Sequence, residues 1–232
     1  MALGCFVTGT DTGVGKTLVS CALLHVLRQQ YAAVVGMKPV AAGVVESAGV
    51  WSNDDVVALR AASSLAVAPE LDNPYLLRDP LSPHLAAQRM GVAIDVALIV
   101  QRYQRLAALA DAVVVEGAGG FCVPLNEAQT GADLARALAL PVILVVGLRL
   151  GCLNHAILSA QSIRAQGLHL AGWVVSRIDP AILAADDNVA TLMQRLDAPL
   201  LADVPHLTAP DAARIRFDLD AAQLSRRLTG TP

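Results

Sequence analysis

Short runs of β-branched and aliphatic residues alternate along the chain with longer Ala/Leu-rich stretches of helical period, and no other feature restricts the fold as much. The runs predict strands at Gly4–Thr8, Ala33–Met37, Ala112–Val115, Pro141–Val146, Ala171–Val175 and Leu200–Asp203. The stretches between them predict helices at Lys16–Gln30, Asp55–Ser64, Ile94–Ala110, Ala132–Leu140, Asn154–Gln166 and Ile182–Leu196. In the first helix Val19, Ala22, Leu23, Val26 and Leu27 recur at three- and four-residue steps and form one apolar stripe. Strands that are apolar throughout must be covered on both faces. The expected fold is therefore α/β, a mostly parallel central sheet with helices on both faces. Ligands of such a sheet bind at the carboxyl ends of its strands.

No repeat or long linker divides the sequence, so a single domain over residues 1–232 is expected. The stretch Ala68–Pro83 holds Pro69, Pro74, Pro80 and Pro83 and reads as an irregular, functional loop over one rim of the sheet. Hydrophobic residues make up 55% of the chain, which excludes disorder. Lys and Arg number 17 against 20 Asp and Glu, so no nucleic-acid partner is expected. The longest apolar run, Ala137–Leu148, contains Pro141 and falls short of the ~18–20 residues that span a bilayer, so no membrane partner is expected. Cys5, Cys21, Cys122 and Cys152 are scattered, and no signal-peptide layout precedes Lys16. Free thiols in a reducing cytoplasm follow.

The segment GTDTGVGKT, Gly9–Thr17, follows a predicted strand and opens a predicted helix. Gly13 and Gly15 allow successive N–H groups to converge, and the positive end of the helix adds to them, which makes a polyanion site. Lys16 can reach the outer phosphates, and the Thr17 hydroxyl suits a magnesium ligand. The spacing departs from GxxxxGK[ST]: the position six before Lys16 is Thr10, and the glycine stands one earlier, at Gly9. The fold is thus expected to be P-loop NTPase-like. Glu116, read as the carboxyl end of its strand, would face the phosphates; an acid there is costly unless paired or metal-bound. Asp55, with Asp54 beside it, opens a helix and is either a second metal ligand or a charge favoured by the helix dipole. Gly117–Gly120 form either an anion-holding backbone or a plain turn. Lys38 leaves the second strand over the same rim as Lys16, with Pro39 fixing the chain's departure.

Taken in order, GTDTGVGKT, MKPVAAG (Met37–Gly43), NDD (Asn53–Asp55), NPY (Asn73–Tyr75), SPH (Ser82–His84), VVVEGAGG (Val113–Gly120), PVILVVG (Pro141–Gly147), LGCLNHA (Leu150–Ala156) and LAGWV (Leu170–Val174) resemble the dethiobiotin synthetase family from about Cys5 to Leu207. The resemblance implies closure of a cyclic urea from 7,8-diaminononanoate, CO2 and ATP, with Mg2+, in biotin biosynthesis. It implies Lys38 and Lys16 as catalytic groups and Thr17, Asp55 and Glu116 as metal ligands. It further implies nucleotide contacts from Thr12, Gly13, Val14, Gly15, Lys16, Thr17 and Leu18, and from Asp55, Glu116, Gly117, Ala118 and Gly119. Ser176, Arg177, Pro205, His206 and Leu207 would surround the base. Lys38, Ala42, Gly151, Cys152 and Asn154 would hold the substrate, the last three across a homodimer interface. Five positions depart from the family pattern. Ala42 stands where Ser or Thr is common, Gly13 where an acid is common, Ser176–Arg177 where relatives have Asn-Asp, and Asn188 where some have Tyr. Looser or differently built base selectivity is expected from Ser176–Arg177.

A ParA/MinD-like ATPase that switches partners is the main competing reading, but the signature lysine of that class is replaced here by Asp11. An amidoligase of the cobyrinate synthase type would need a nucleophilic Cys with a His at suitable spacing; Cys122 and Cys152 instead read as packing residues.

Overall fold

In the computed structural model, which describes residues 2–47, 50–209 and 211–230, β1 (Leu3–Gly9) enters the glycine loop and α1 (Lys16–Leu27), and β2 (Val34–Met37) follows. Then come β3 (Val40–Ala42), β4 (Val45–Ser47), β5 (Val50–Ser52), α2 (Asp54–Ala62), α3 (Pro69–Asp72), β6 (Tyr75–Leu77), α4 (Pro83–Arg89) and α5 (Val96–Leu109). The chain continues through β7 (Ala112–Gly120), α6 (Gly131–Leu138), β8 (Val142–Gly147), α7 (Cys152–Ala165), β9 (Leu170–Ser176), α8 (Ala185–Arg195) and β10 (Leu200–Val204). A 3-10 turn at Ala212–Arg214 and α9 (Ala221–Thr229) end it.

Six strands form one sheet in the order β10-β9-β8-β1-β7-β2, every neighbouring pair parallel. Period-two alternation divides their side chains between two cores. Cys5, Val7, Val114, Ile143 and Val145 pack with Val19, Leu23 and Leu24 of α1 on one face. Phe6, Val113, Val115, Leu144 and Val146 pack with Ile99, Leu106, Ala156, Ile163 and Leu192 of α5, α7 and α8 on the other. The chain leaves β1 by α1 and skips over β7 to reach β2, while β8 lies on the other side of β1. The glycine loop therefore sits where the strand order reverses, the place in an open α/β sheet where a crevice forms.

All six predicted strands and all six predicted helices are present, with shifted ends. Glu116 is a correction: it lies inside β7, not at its carboxyl end, because the strand runs on until Gly120 pairs with Gly9 beyond an irregularity in β1. It is nonetheless one residue past the last β2 pairing, Met37 with Val115. Ala68–Pro83 is irregular only in part, chiefly over residues 78–82. It folds into α3 and β6, and β6 pairs with β3 in a small parallel sheet. The prolines explain the difference: Pro69 and Pro83 sit in the first turns of α3 and α4, where the missing N–H costs nothing. The β4–β5 hairpin and α9 were not expected either. Between Pro39 and Asp54, Ala48 and Gly49 lie outside the described residues.

Candidate active site

Gly13 and Gly15 adopt φ of +73° and +90°, conformations that strain any L side chain. Gly15 has a second constraint, because a Cβ there would lie 2.9 Å from Ser176 Oγ. Val14, between them, is buried and ties the loop to the core. No side chain caps the start of α1, so its first N–H groups are left for an anion. Asp11 Oδ1 accepts from the Thr12 N–H at 2.7 Å, and its other oxygen pairs with Arg149. Lys16 is 6% exposed and donates to the Asp11 carbonyl at 2.8 Å. Burial and the neighbouring charge of Lys38 lower its pKa to about 8, against the pull of Glu116, Asp55 and Asp11.

Four elements converge beside this loop. Thr17 comes from the first turn of α1, Lys38 from the residue after β2, Asp55 from the first turn of α2 and Glu116 from β7. Thr17 Oγ1 lies 2.6 Å from Asp55 Oδ1 and 2.9 Å from Glu116 Oε1. One hydroxyl proton serves only one of those oxygens at a time. The ammonium of Lys38 bridges the same pair, 2.8 Å from Asp55 Oδ2 and 2.6 Å from Glu116 Oε1. Burial works against the Lys38 charge, but the two carboxylates outweigh it and raise its pKa. Burial would raise Asp55 in turn, and Lys38 and Thr17 reverse that and lower it. Glu116 has no exposed surface, and among the described residues its Oε2 has no hydrogen-bond partner. Among the described residues no three of His, Cys, Asp and Glu gather at one point; the oxygen set here is two carboxylates and a hydroxyl.

Asn53 sets the place of Asp55. Its Oδ1 caps α2 by accepting from the N–H groups of Asp55 and Val56, and its Nδ2 donates to the Gly43 carbonyl at 2.7 Å. Its cue was readable, an Asn directly before two acids at a helix start. The cluster opens into a cleft of about 1250 Å³. Thr12, Gly13, Gly15, Leu18, Ala118 and Gly119 line it, as does Ala42 of β3. Asp54 lines it too but stands outside the Thr17–Lys38–Glu116 network, to which Asp55 alone contributes. Pro80–Pro83 supply one wall, and Asp211 and Ala212 another that sequence reasoning missed. Gly117 lies behind the cleft, its carbonyl 3.5 Å from Lys38 Nζ.

A family model described as an AAA domain matches residues 4–214. The ATP-dependent dethiobiotin synthetase BioD of Aromatoleum aromaticum is 53% identical over 214 residues, 92% of this chain and 95% of that protein. The protein of the same name from a Janthinobacterium species is 53% identical over 220 residues, 93% of each chain. The chain belongs to the dethiobiotin synthetase family. Solved structures share the fold at much lower identity. MinD of Aquifex aeolicus superposes with a TM-score of 0.56 at 14% identity, covering 100% of this chain and 98% of that one. A ParA family ATPase of Chlorobium tepidum gives 0.55 at 13%, covering 89% and 86%. The sheet order and loop of this dethiobiotin synthetase family member thus belong to the P-loop NTPase fold.

The remaining expected residues lie elsewhere. Ser176 ends β9 behind Gly15. Arg177 is held by Asp203 through two hydrogen bonds, at 2.8 and 2.7 Å, and by Asp186 at 2.7 Å. These bonds raise its pKa and engage its Nε and Nη2. Its carbonyl lies 3.3 Å from His206 Nδ1, so Pro205, His206 and Leu207 follow β10 beside it. Gly151, at φ +95°, opens α7; Cys152 is buried and Asn154 exposed, and none of the three lines the cleft.

Proposed function

We propose that this chain closes the ureido ring of dethiobiotin from 7,8-diaminononanoate, CO2 and ATP as a single-domain enzyme, with ADP and phosphate released. One observation carries the reading: a P-loop lysine, a second lysine and Asp55 share one cleft, with Glu116 buried behind it against the second lysine, in a chain 53% identical to curated dethiobiotin synthetases. CO2 adds to one amine to give a carbamate. The carbamate oxygen takes the γ-phosphoryl group, and the second amine attacks the mixed anhydride and expels phosphate. Phosphorylation turns a poor leaving group into a good one, so the protein is asked mainly for position and charge.

The loop N–H groups and Lys16 bind the triphosphate, and Thr12 joins them. Lys38 keeps its proton and supplies fixed positive charge to the carbamate and the transferring phosphoryl. Thr17, Asp55 and Glu116 suit Mg2+: all three offer oxygen, and the unpartnered Glu116 Oε2 has capacity to spare. Bound there, Mg2+ would neutralise developing phosphate charge. Ser176, Arg177 and Pro205–Leu207 take the nucleoside end.

A homodimer belongs to the same reading. Leu150 is 96% exposed beside the start of α7, and there Gly151, Cys152 and Asn154 would meet the substrate carboxylate of a second copy. Four unpaired cysteines favour a reducing cytoplasm. Among the described residues no helix is long and apolar enough to cross a membrane. The test is phosphate release from ATP with and without the diamine and bicarbonate, with the product identified by mass. Release that needs both supports the synthetase. Release indifferent to the diamine refutes it.

A further inference from the structure

We infer that Asn73, with Asp72, is a positioning residue for Lys38, holding the backbone of the lysine at the one point where the sheet cannot. The inference rests on the role given to Lys38 above. β2 ends at Met37, and Pro39 follows Lys38 without an N–H of its own. Lys38 is 5% exposed, so its own N–H and C=O need partners that neither β7 nor water provides. Both come from the end of α3. The Lys38 N–H donates to the Asp72 carbonyl at 2.8 Å, and the Lys38 carbonyl accepts from Asn73 Nδ2 at 2.7 Å. The second Asn73 proton points to the Tyr75 carbonyl at 3.3 Å. Two carbonyl acceptors fix the orientation of the amide, and a carboxylate in its place would face both with lone pairs.

The clamp is itself anchored. Asp72 is 3% exposed and takes a two-pronged bridge from Arg60, 2.7 Å to Nε and 2.6 Å to Nη2. Arg60 stands on α2, the helix that carries Asp55. One brace thus ties the Lys38 backbone to the element bearing the carboxylate that its ammonium grips. Lys38 apart, the recorded hydrogen bonds of Asn73 reach none of the groups assigned to phosphate, metal or substrate, so its effect passes through Lys38.

Asn73→Ala should lower kcat at least about tenfold, because small displacements of a positioned group are costly. The Kd for ATP should stay within about twofold, since phosphate binding lies with the P-loop. The discriminating measurement is a double-mutant cycle. In a Lys38→Ala background, removal of Asn73 should cost less than about twofold in residual turnover, as expected when two residues act through one group. Wild-type kcat in Asn73→Ala would overturn the inference, and so would an equal loss with and without Lys38. Should Asn73→Ala not fold, Arg60→Met reads the same brace from a half-exposed residue: a kcat loss of at least about threefold with unchanged ATP affinity is expected, and unchanged kcat overturns the inference. Near-wild-type turnover of Lys38→Ala alone would instead remove the parent role of Lys38, and this inference with it.

Discussion

Asn53 performs two separable services, and its substitutions can tell them apart. Its Oδ1 accepts from the N–H groups of Asp55 and Val56, at 3.1 and 3.3 Å, and its Nδ2 donates to the Gly43 carbonyl at 2.7 Å. Asn53→Ala removes both. A lost N-cap costs about 1 kcal/mol, and the bond to Gly43 is worth about the same. Asn53→Asp keeps the acceptor and loses the donor, so it should cost about half as much, roughly 1 kcal/mol. For a chain of this size each kcal/mol moves Tm by about 2–4 °C. Thermal unfolding should therefore fall by about 4–8 °C in Asn53→Ala and about 2–4 °C in Asn53→Asp. The functional readout follows from the same geometry. Asp55 is in the first turn of α2 with Oδ1 2.6 Å from Thr17 Oγ1, so a frayed turn loosens the oxygen set. The concentration of Mg2+ needed for half-maximal turnover should rise in Asn53→Ala and stay near wild type in Asn53→Asp. Equal Tm losses in the two variants would refute the capping argument. An unchanged Mg2+ requirement in Asn53→Ala would refute the link from cap to site.

Two further outcomes follow from the charges in the cleft. Lys16 sits at about 8 without nucleotide, and bound phosphates will raise it again, so nucleotide binding takes up a proton above that pH. With divalent metal chelated, calorimetric affinity for ATP should weaken roughly tenfold from about pH 7 to about pH 9, and Lys16→Arg should flatten the profile; a flat wild-type profile would sink the assignment. Glu116→Gln keeps the volume of a fully buried side chain but removes its charge, while Lys38 retains Asp55. Turnover should drop at least about a hundredfold with the protein still folded by circular dichroism, and a near-wild-type rate would exclude Glu116 from the chemistry.

The sheet was legible because its strands are buried on both faces and leave a plain apolar signal, as in Val142–Gly147. The loop from Gly9 to Thr17 was legible because glycine and lysine at that spacing have a mechanism. Less was readable where structure arises from pairing between short segments. β3 and β6 have three residues each and acquire their identity only from one another, so neither has a period to detect. Their consequence was hidden too. Asn73 stood out only as part of a family-like NPY motif, and its work appears once the chain brings it back against Lys38. α9 did carry a local cue, Asp220 and Gln223 as a reciprocal cap, but its apolar side is only a few residues long.

The placement of the two lysines follows from the same topology. Parallel strands deliver the ends of β1 and β2 to one rim, with β7 between them, so any cation that leaves β2 there meets whatever side chain β7 presents just past the last pairing. That side chain is Glu116, with no solvent exposure, and an unpaired charge at that depth is costly. Lys38 and the Thr17 hydroxyl keep it in a polar network without surrounding it, and Oε2 is left over. Asp55 arrives from the first turn of α2 and shares both partners. The result is a carboxylate pair whose charge is offset by a tethered ammonium before any ligand enters. Replacing Lys38 by a neutral residue would leave that pair to Thr17 and Lys16, so a stability loss together with the kinetic one is the expected signature of Lys38→Met, whereas Lys38→Arg should restore stability further than it restores turnover.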